Sequence, residues 1–342
     1  MTRAGRLAIE AGAAAVVTRL LGLLPRRAAL VLGRGLGRLW GDLDRRHVRV
    51  AVDNLRHAFP HWDEARRLRT ARGVYAHFGQ ILLDILWLSE RPCETVLSVV
   101  DVEGREHVEG AVAAGHGLVV VTAHFGNWEA HGVAHGLLFG PLGVVARPLD
   151  NPRLDERLCA FRGRSGNPVI YKQRALVQVL KMLRAGGGVA ILIDQNVQEG
   201  DGIFVDFFGR PAATTTVAAA LAVKTGCALV PVQVRLGDDG RYRAIYEPAV
   251  RWTTSGDRQR DIAHLTQALT YRIEAWVREA PEQWLWIHRR WKTQPGGKEA
   301  ISSQQSAFRT QAIAHQGSPA SHQPSAREAG NLPARGEPEE TP

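Results

Sequence analysis

The chain has 342 residues, 45% of them apolar and 23% charged, enough for one large α/β domain or two small ones. The formal net charge is +9, and residues 1–72 alone hold 15 Arg against 6 Asp or Glu, so the remainder is nearly balanced. The basic segment calls for an anionic partner. Nucleic acid is disfavoured, because no helix-turn-helix, zinc-finger or RNP-like pattern is present. The arginines are interleaved with Leu, Val and Ala, as on a surface lying on anionic lipid. Cys93, Cys159 and Cys227 are too widely spaced to suggest a metal site or a disulfide set, which points to a reducing compartment.

Residues 1–72 read as a helical, basic, membrane-associating segment. Ala11–Pro25 is apolar except for Arg19, too short for a spanning helix and without a signal-peptide cleavage site. Leu7, Ala11, Ala14, Thr18 and Leu21 recur at helical spacing, so an interfacial helix is expected. A second helix is expected over Val74–Leu88. From residue 101 strands and helices alternate. Strands are expected at Leu118–Ala123, Gly143–Ala146, Val169–Tyr171, Val189–Ile193, Leu229–Leu236 and Tyr242–Glu247. Helices are expected near Trp128–Leu138, Asn151–Gly163, Arg174–Arg184, Thr214–Thr225 and Arg258–Glu279. This alternation predicts an α/β fold with a mixed, mainly parallel sheet flanked by helices, over residues 73–292. Residues 293–342 are poor in large apolar side chains and read as a disordered tail.

His124 directly follows a continuous apolar strand, and strand carboxyl ends are where sites form in open α/β sheets. An imidazole there suits a general base that removes a hydroxyl proton, with Glu129 five residues on to orient it from the far ring nitrogen. Asn127 can cap the following helix and also counts among the substrate-contacting candidates. Asp194 and Gln195 follow the strand Val189–Ile193, which puts them on the edge of His124 if the two strands are parallel. His131 and His135 share a helix face without the intervening Glu of a zinc motif, so they read as packing residues; no metal or cofactor is called for.

Several blocks occur in order: His124-Phe125-Gly126-Asn127-Trp128-Glu129 as H-x4-E, Arg147–Asp155, Arg162–Asn167, Ile193–Asn196, Phe207–Ala212 and Pro281–Lys292, with Asn54-Leu55 and Phe59-Pro60 upstream. Over residues 10–292 they resemble the bacterial lipid A biosynthesis acyltransferases of the lauroyl/myristoyl type, within the wider glycerolipid acyltransferase-like group. The resemblance implies an acyl-carrier-protein or acyl-CoA thioester donor, a glycolipid hydroxyl acceptor, and the cytoplasmic face of the inner membrane. It also implies His124 as base and Glu129 as its partner. Acylation of a phosphatidylinositol mannoside is the same chemistry on another acceptor. A thioesterase or lipid hydrolase would use water instead, although the lack of a G-x-S-x-G elbow argues against a serine hydrolase.

The remaining blocks carry further expectations. Arg147 and Arg164 are candidates to hold an acceptor phosphate or the thioester carbonyl. Phe207 and Phe208 lie in an apolar loop, Glu199–Pro211, and are expected to wall the acyl-chain groove. Trp284, Trp286 and Trp291 among basic residues suit a membrane interface.

Overall fold

The computed structural model describes residues 2–171 and 175–296. Met1–Gly296 forms one compact unit. The tail from residue 297 and the expected helix start at Arg174 lie outside the described residues.

Four helices open the chain: α1 (Arg3–Gly22), α2 (Arg26–Leu43), α3 (Arg45–Ala58) and α4 (Glu64–Ser89). Asp63 caps α4 by accepting from the Arg66 backbone N–H at 2.6 Å. Helices α2 and α4 pack closely because glycines meet at the crossing. A Cβ on Gly33 would lie 2.5 Å from the Gly79 carbonyl oxygen. The stripe Ala11, Thr18 and Leu21 on α1 is buried against the protein, while Ile9, Val16, Val17, Leu20 and Leu23 are exposed. The periodicity therefore marks the packed face of α1, and a second apolar face looks outward.

The rest of the chain runs β1 (Val100–Glu103), α5 (Arg105–Ala113), β2 (Leu118–Thr122), α6 (Trp128–Phe139), β3 (Leu142–Ala146), α7 (Pro152–Gly163), β4 (Val169–Tyr171), α8 (Ala175–Arg184) and β5 (Gly188–Leu192). A hairpin of β6 (Ile203–Phe207) and β7 (Arg210–Thr214) follows, then α9 (Val217–Thr225), β8 (Ala228–Leu236), β9 (Tyr242–Tyr246) and α10 (Arg258–Glu279). Seven strands form one sheet in the order β1-β9-β8-β2-β5-β3-β4. Only the β8–β9 pair is antiparallel within it. The fold is thus α/β with a mainly parallel sheet flanked by helices and a helical N-terminal segment, as the alternation predicts. β2 is buried along its whole length, which explains its unbroken apolar run.

The segment expected to be an apolar loop is instead the β6–β7 hairpin. Its two-residue turn, Phe208-Gly209, has positive φ at both positions, 57° and 75°. That is the turn that matches strand twist, but Phe in place of Asn or Asp hides its signature. Phe207 and Phe208 are buried in the core, Phe207 with its ring centroid 5.5 Å from that of Trp284 and Phe208 beside Phe59 and Trp286. They pack the interior rather than wall an open groove. Trp284, Trp286 and Trp291 are buried with them, so they form core and not an interfacial belt. Arg290 goes inside too, donating to the Ala213 carbonyl and the Thr214 hydroxyl. Burial draws its pKa down to about 10.

Candidate active site

β2 and β5 are parallel neighbours with Thr122 opposite Leu192. His124 and Asp194 each stand two residues past that rung, so the register alone sets them abreast at the carboxyl edge. The Asp194 carboxylate collects three donors. The His124 backbone N–H reaches Oδ2 at 2.9 Å, and the His124 ring Nδ1 reaches Oδ1 at 2.9 Å. The Trp284 indole reaches Oδ2 at 2.8 Å. Burial would lift the Asp194 pKa, but the charge and hydrogen bonds of His124 and the bond from Trp284 hold it below the usual carboxylate range. Burial by itself would lower His124, yet the Asp194 charge and hydrogen bond, with a smaller push from the Glu129 charge, raise it above the ordinary histidine value. Nδ1 donates to the carboxylate, which leaves the Nε2 lone pair free. Nε2 lies 3.3 Å from the exposed Gln195 amide nitrogen, a long contact that an incoming hydroxyl can replace.

Trp284 arrives because residues 283–285 pair with the His124 loop. The Gly126 N–H donates to the Gln283 carbonyl at 3.0 Å, and the Leu285 N–H to the His124 carbonyl at 3.1 Å. Gly126 has φ 57°, and a Cβ there would overlap the Val234 carbonyl oxygen, so no side chain fits. Asn54 locks the same C-terminal segment by donating to the Trp286 and His288 carbonyls at 2.8 and 2.7 Å. His288 accepts the Asn196 N–H at 2.9 Å, fixing the backbone just past Asp194 and Gln195. Asn54, Trp284 and His288 were legible only as members of the resembling blocks; nothing local in their spacing assigns them to Asp194. Trp284→Phe removes one donor from the carboxylate while keeping the ring. It is expected to slow acyl transfer about tenfold, an effect of one hydrogen bond to a charged group, measured as a single-turnover rate with the fold checked by circular dichroism.

Glu129 does not turn back onto His124. Its carboxylate is forked by Arg162, with Nε to Oε2 at 2.7 Å and Nη2 to Oε1 at 2.5 Å. Both side chains are largely buried. The reason is helical geometry: Glu129 sits on the first turn of α6 facing α7, which carries Arg162, and a bidentate guanidinium is a stronger partner than a ring across the turn. The Trp128 indole also donates to Glu129, at 3.1 Å. The Trp128 ring in turn meets His124 edge-on, with centroids 5.0 Å apart. Glu129 therefore bears on His124 through Trp128 and through charge, and Asp194 is the carboxylate in contact.

The other expected residues fall on both sides. Arg147, at the carboxyl end of β3 on the edge of His124, is open to solvent, with Asp150 at 3.8 Å. Arg164 is spent elsewhere: its guanidinium donates to the carbonyls of Leu88 and Arg91 at 3.1 and 2.5 Å, tying down the end of α4. Asn127 is fully buried and caps α6, its Oδ1 accepting the Ala130 N–H at 3.0 Å, so it does not face a substrate. His131 and His135 flank the Tyr246 hydroxyl at 2.7 and 2.8 Å. Burial pushes their pKa values to about 3 and about 4, so both are neutral. Tyr246→Phe leaves two buried imidazole nitrogens unpaired and is expected to cost about 1–3 kcal/mol in urea unfolding. Because the folded values lie below the ordinary 6.5, the unfolded chain binds these protons first. Stability is then present above about pH 6.5 and declines as pH falls toward the folded values.

The family model for bacterial lipid A biosynthesis acyltransferases matches residues 6–293. A lipid A biosynthesis lauroyltransferase of Escherichia coli K12 is 30% identical over 80% of this chain and 88% of its own length. A lipid A biosynthesis palmitoleoyltransferase of the same organism is 28% identical over 81% and 89%. A phosphatidylinositol mannoside acyltransferase of Mycolicibacterium smegmatis is 31% identical over 66% and 72%.

Proposed function

Since the chain belongs to the bacterial lipid A biosynthesis acyltransferase family and is an O-acyltransferase acting on a glycolipid, we propose that His124, held by Asp194, is the general base that activates the acceptor hydroxyl. The observation that carries this is the Asp194 carboxylate bound to both the backbone and the ring of His124, with Nε2 left as an acceptor. The acceptor O–H gives its proton to Nε2 as the oxygen attacks the thioester carbonyl. The tetrahedral adduct then collapses, the C–S bond breaks, and the departing thiolate takes the proton from Nε2. Asp194 stabilises the imidazolium between the two steps, as in a triad whose nucleophile belongs to the substrate. Gln195 and Arg147 stand at the same edge to orient the acceptor.

The acceptor in this reading is a lipid A precursor, supported by the match along residues 6–293; the mannoside relative covers less of the chain. The donor is an acyl-carrier-protein or acyl-CoA thioester. The protein works at the anionic cytoplasmic face of the inner membrane, on the basic N-terminal segment and the outward apolar face of α1 and α2, where Leu23, Val31, Leu36, Leu39 and Trp40 are exposed. Among the described residues no helix is long and apolar enough to cross a membrane.

The test is transfer of a labelled acyl chain from each thioester to a lipid A precursor or a phosphatidylinositol mannoside, followed by mass spectrometry. An acylated lipid A precursor that disappears with His124→Ala is the expected result. Free fatty acid as the sole product would mean water is the acceptor and would overturn the transferase mechanism.

A further inference from the structure

A cavity of about 1010 Å³ lies along the seam of α2 and α4, bordered by the β8–β9 turn and by Glu282 and Gln283; His124 is not among its lining residues. Its walls are fixed. Arg26 pairs with the buried Asp84 at 2.7 Å and donates to the Gly240 carbonyl at 2.5 Å, tying α2 to α4 and to the turn. The helices themselves meet through glycine backbone.

The lining is strongly cationic. Arg27, Arg34 and Arg38 project from α2 at helical spacing, and Arg69 joins them from α4. None of these four makes an ion pair or side-chain hydrogen bond among the described residues, whereas two of the cavity's acids are already engaged. Asp42 pairs with Arg72 at 3.1 Å, and Asp239 with Arg243 at 2.8 Å. Asp238 and Glu282 are the acids left against four free guanidinium groups. His77 also lines the cavity; it is buried, and its Nε2 has no hydrogen-bond partner. That nitrogen is closed off from solvent, so the arginines are the donors the cavity offers. Clustered guanidiniums in a recess fit a small oxyanion that accepts several forked bonds.

We propose that this cavity binds the phosphate of an anionic lipid headgroup. The lipid source rests on the membrane-surface reading above. It is supported by the apolar rim, since Leu30 and Val31 line the cavity and Leu32, Leu36 and Leu39 are exposed on the same helix. The segment Glu282–Leu285 joins the cavity to the His124 loop, so a bound headgroup would hold the protein with its catalytic edge near the lipid surface.

The test is calorimetric titration of the full chain with monomeric dihexanoyl phosphatidic acid, dihexanoyl phosphatidylcholine and inorganic phosphate. Saturable binding of phosphatidic acid at one site is expected, weakened about tenfold or more in Arg34→Gln/Arg38→Gln, the loss of charge-assisted bonds. Arg258→Gln/Arg260→Gln, a charge-matched change at exposed positions of α10 outside the cavity, should leave it unchanged. No saturable binding, or equal losses in the two variants, would overturn the site. Inorganic phosphate binding as tightly as phosphatidic acid would overturn the lipid source. Flotation with vesicles reports separately on the membrane reading: a chain that floats but binds no phosphatidic acid overturns the cavity alone.

Discussion

Asp194→Asn is expected to lower kcat for acyl transfer by about 10⁴-fold, the scale of losing the buried carboxylate of a catalytic triad. The amide is nearly isosteric, so the Trp284 and backbone contacts of Asp194 can be kept in outline. What changes is the ring. An Asn NH₂ turned toward Nδ1 places the imidazole proton on Nε2, and the nitrogen facing the acceptor becomes a donor that cannot take a proton. Loss of the charge also removes the main influence that lifts His124 above the ordinary histidine range. The sign of the pH effect follows. His124 is a base only when neutral, so wild-type transfer falls as pH drops through the raised pKa, and in the variant that acid limb moves to lower pH. The thioester KM should change little, because the lost interaction matters most once the imidazolium forms. For stability, the pair contributes most between the lowered Asp194 value and the raised His124 value. That contribution is lost as pH falls through the first or rises through the second.

Glu129→Ala is expected to act first on stability, by about 3–5 kcal/mol, because it leaves Arg162 as an uncompensated buried charge. The guanidinium donates twice to Glu129 and has little exposure. Loss of the carboxylate also frees the Trp128 indole that borders His124, so transfer should fall as well. The double variant Glu129→Leu/Arg162→Met removes both charges and should recover most of the stability lost by the single change, read as urea midpoints on matched samples. If the single variant unfolds like the wild type, the Glu129–Arg162 pair is not a structural brace.

Much of this could be read from residues alone, and the failures have physical causes. β2 declared itself by an apolar run and a following His, and parallel pairing with β5 was the condition that placed Asp194 beside it. Sequence distance favoured Glu129 as the partner of His124; what decided against it was a contact 70 residues away in the chain for Asp194 and 33 away for Glu129 with Arg162. Neither separation leaves a local trace. Phe207, Phe208 and the tryptophans looked like surface or groove because their run is apolar and irregular, yet the hairpin turn and α10 fold them inward. Arg164 was attractive as a free cation and proved to be a tie for α4 carbonyls, a use that composition cannot reveal. The packed stripe of α1 was visible by its period, but the period could not say whether protein or lipid covers it.

The most direct test of the central claim is the pH dependence of the single-turnover transfer rate in wild type and Asp194→Asn. A wild-type acid limb above the ordinary histidine pKa, with a much slower variant whose limb lies lower, is the predicted result. An Asp194→Asn enzyme that transfers at the wild-type rate with its acid limb in place would contradict it.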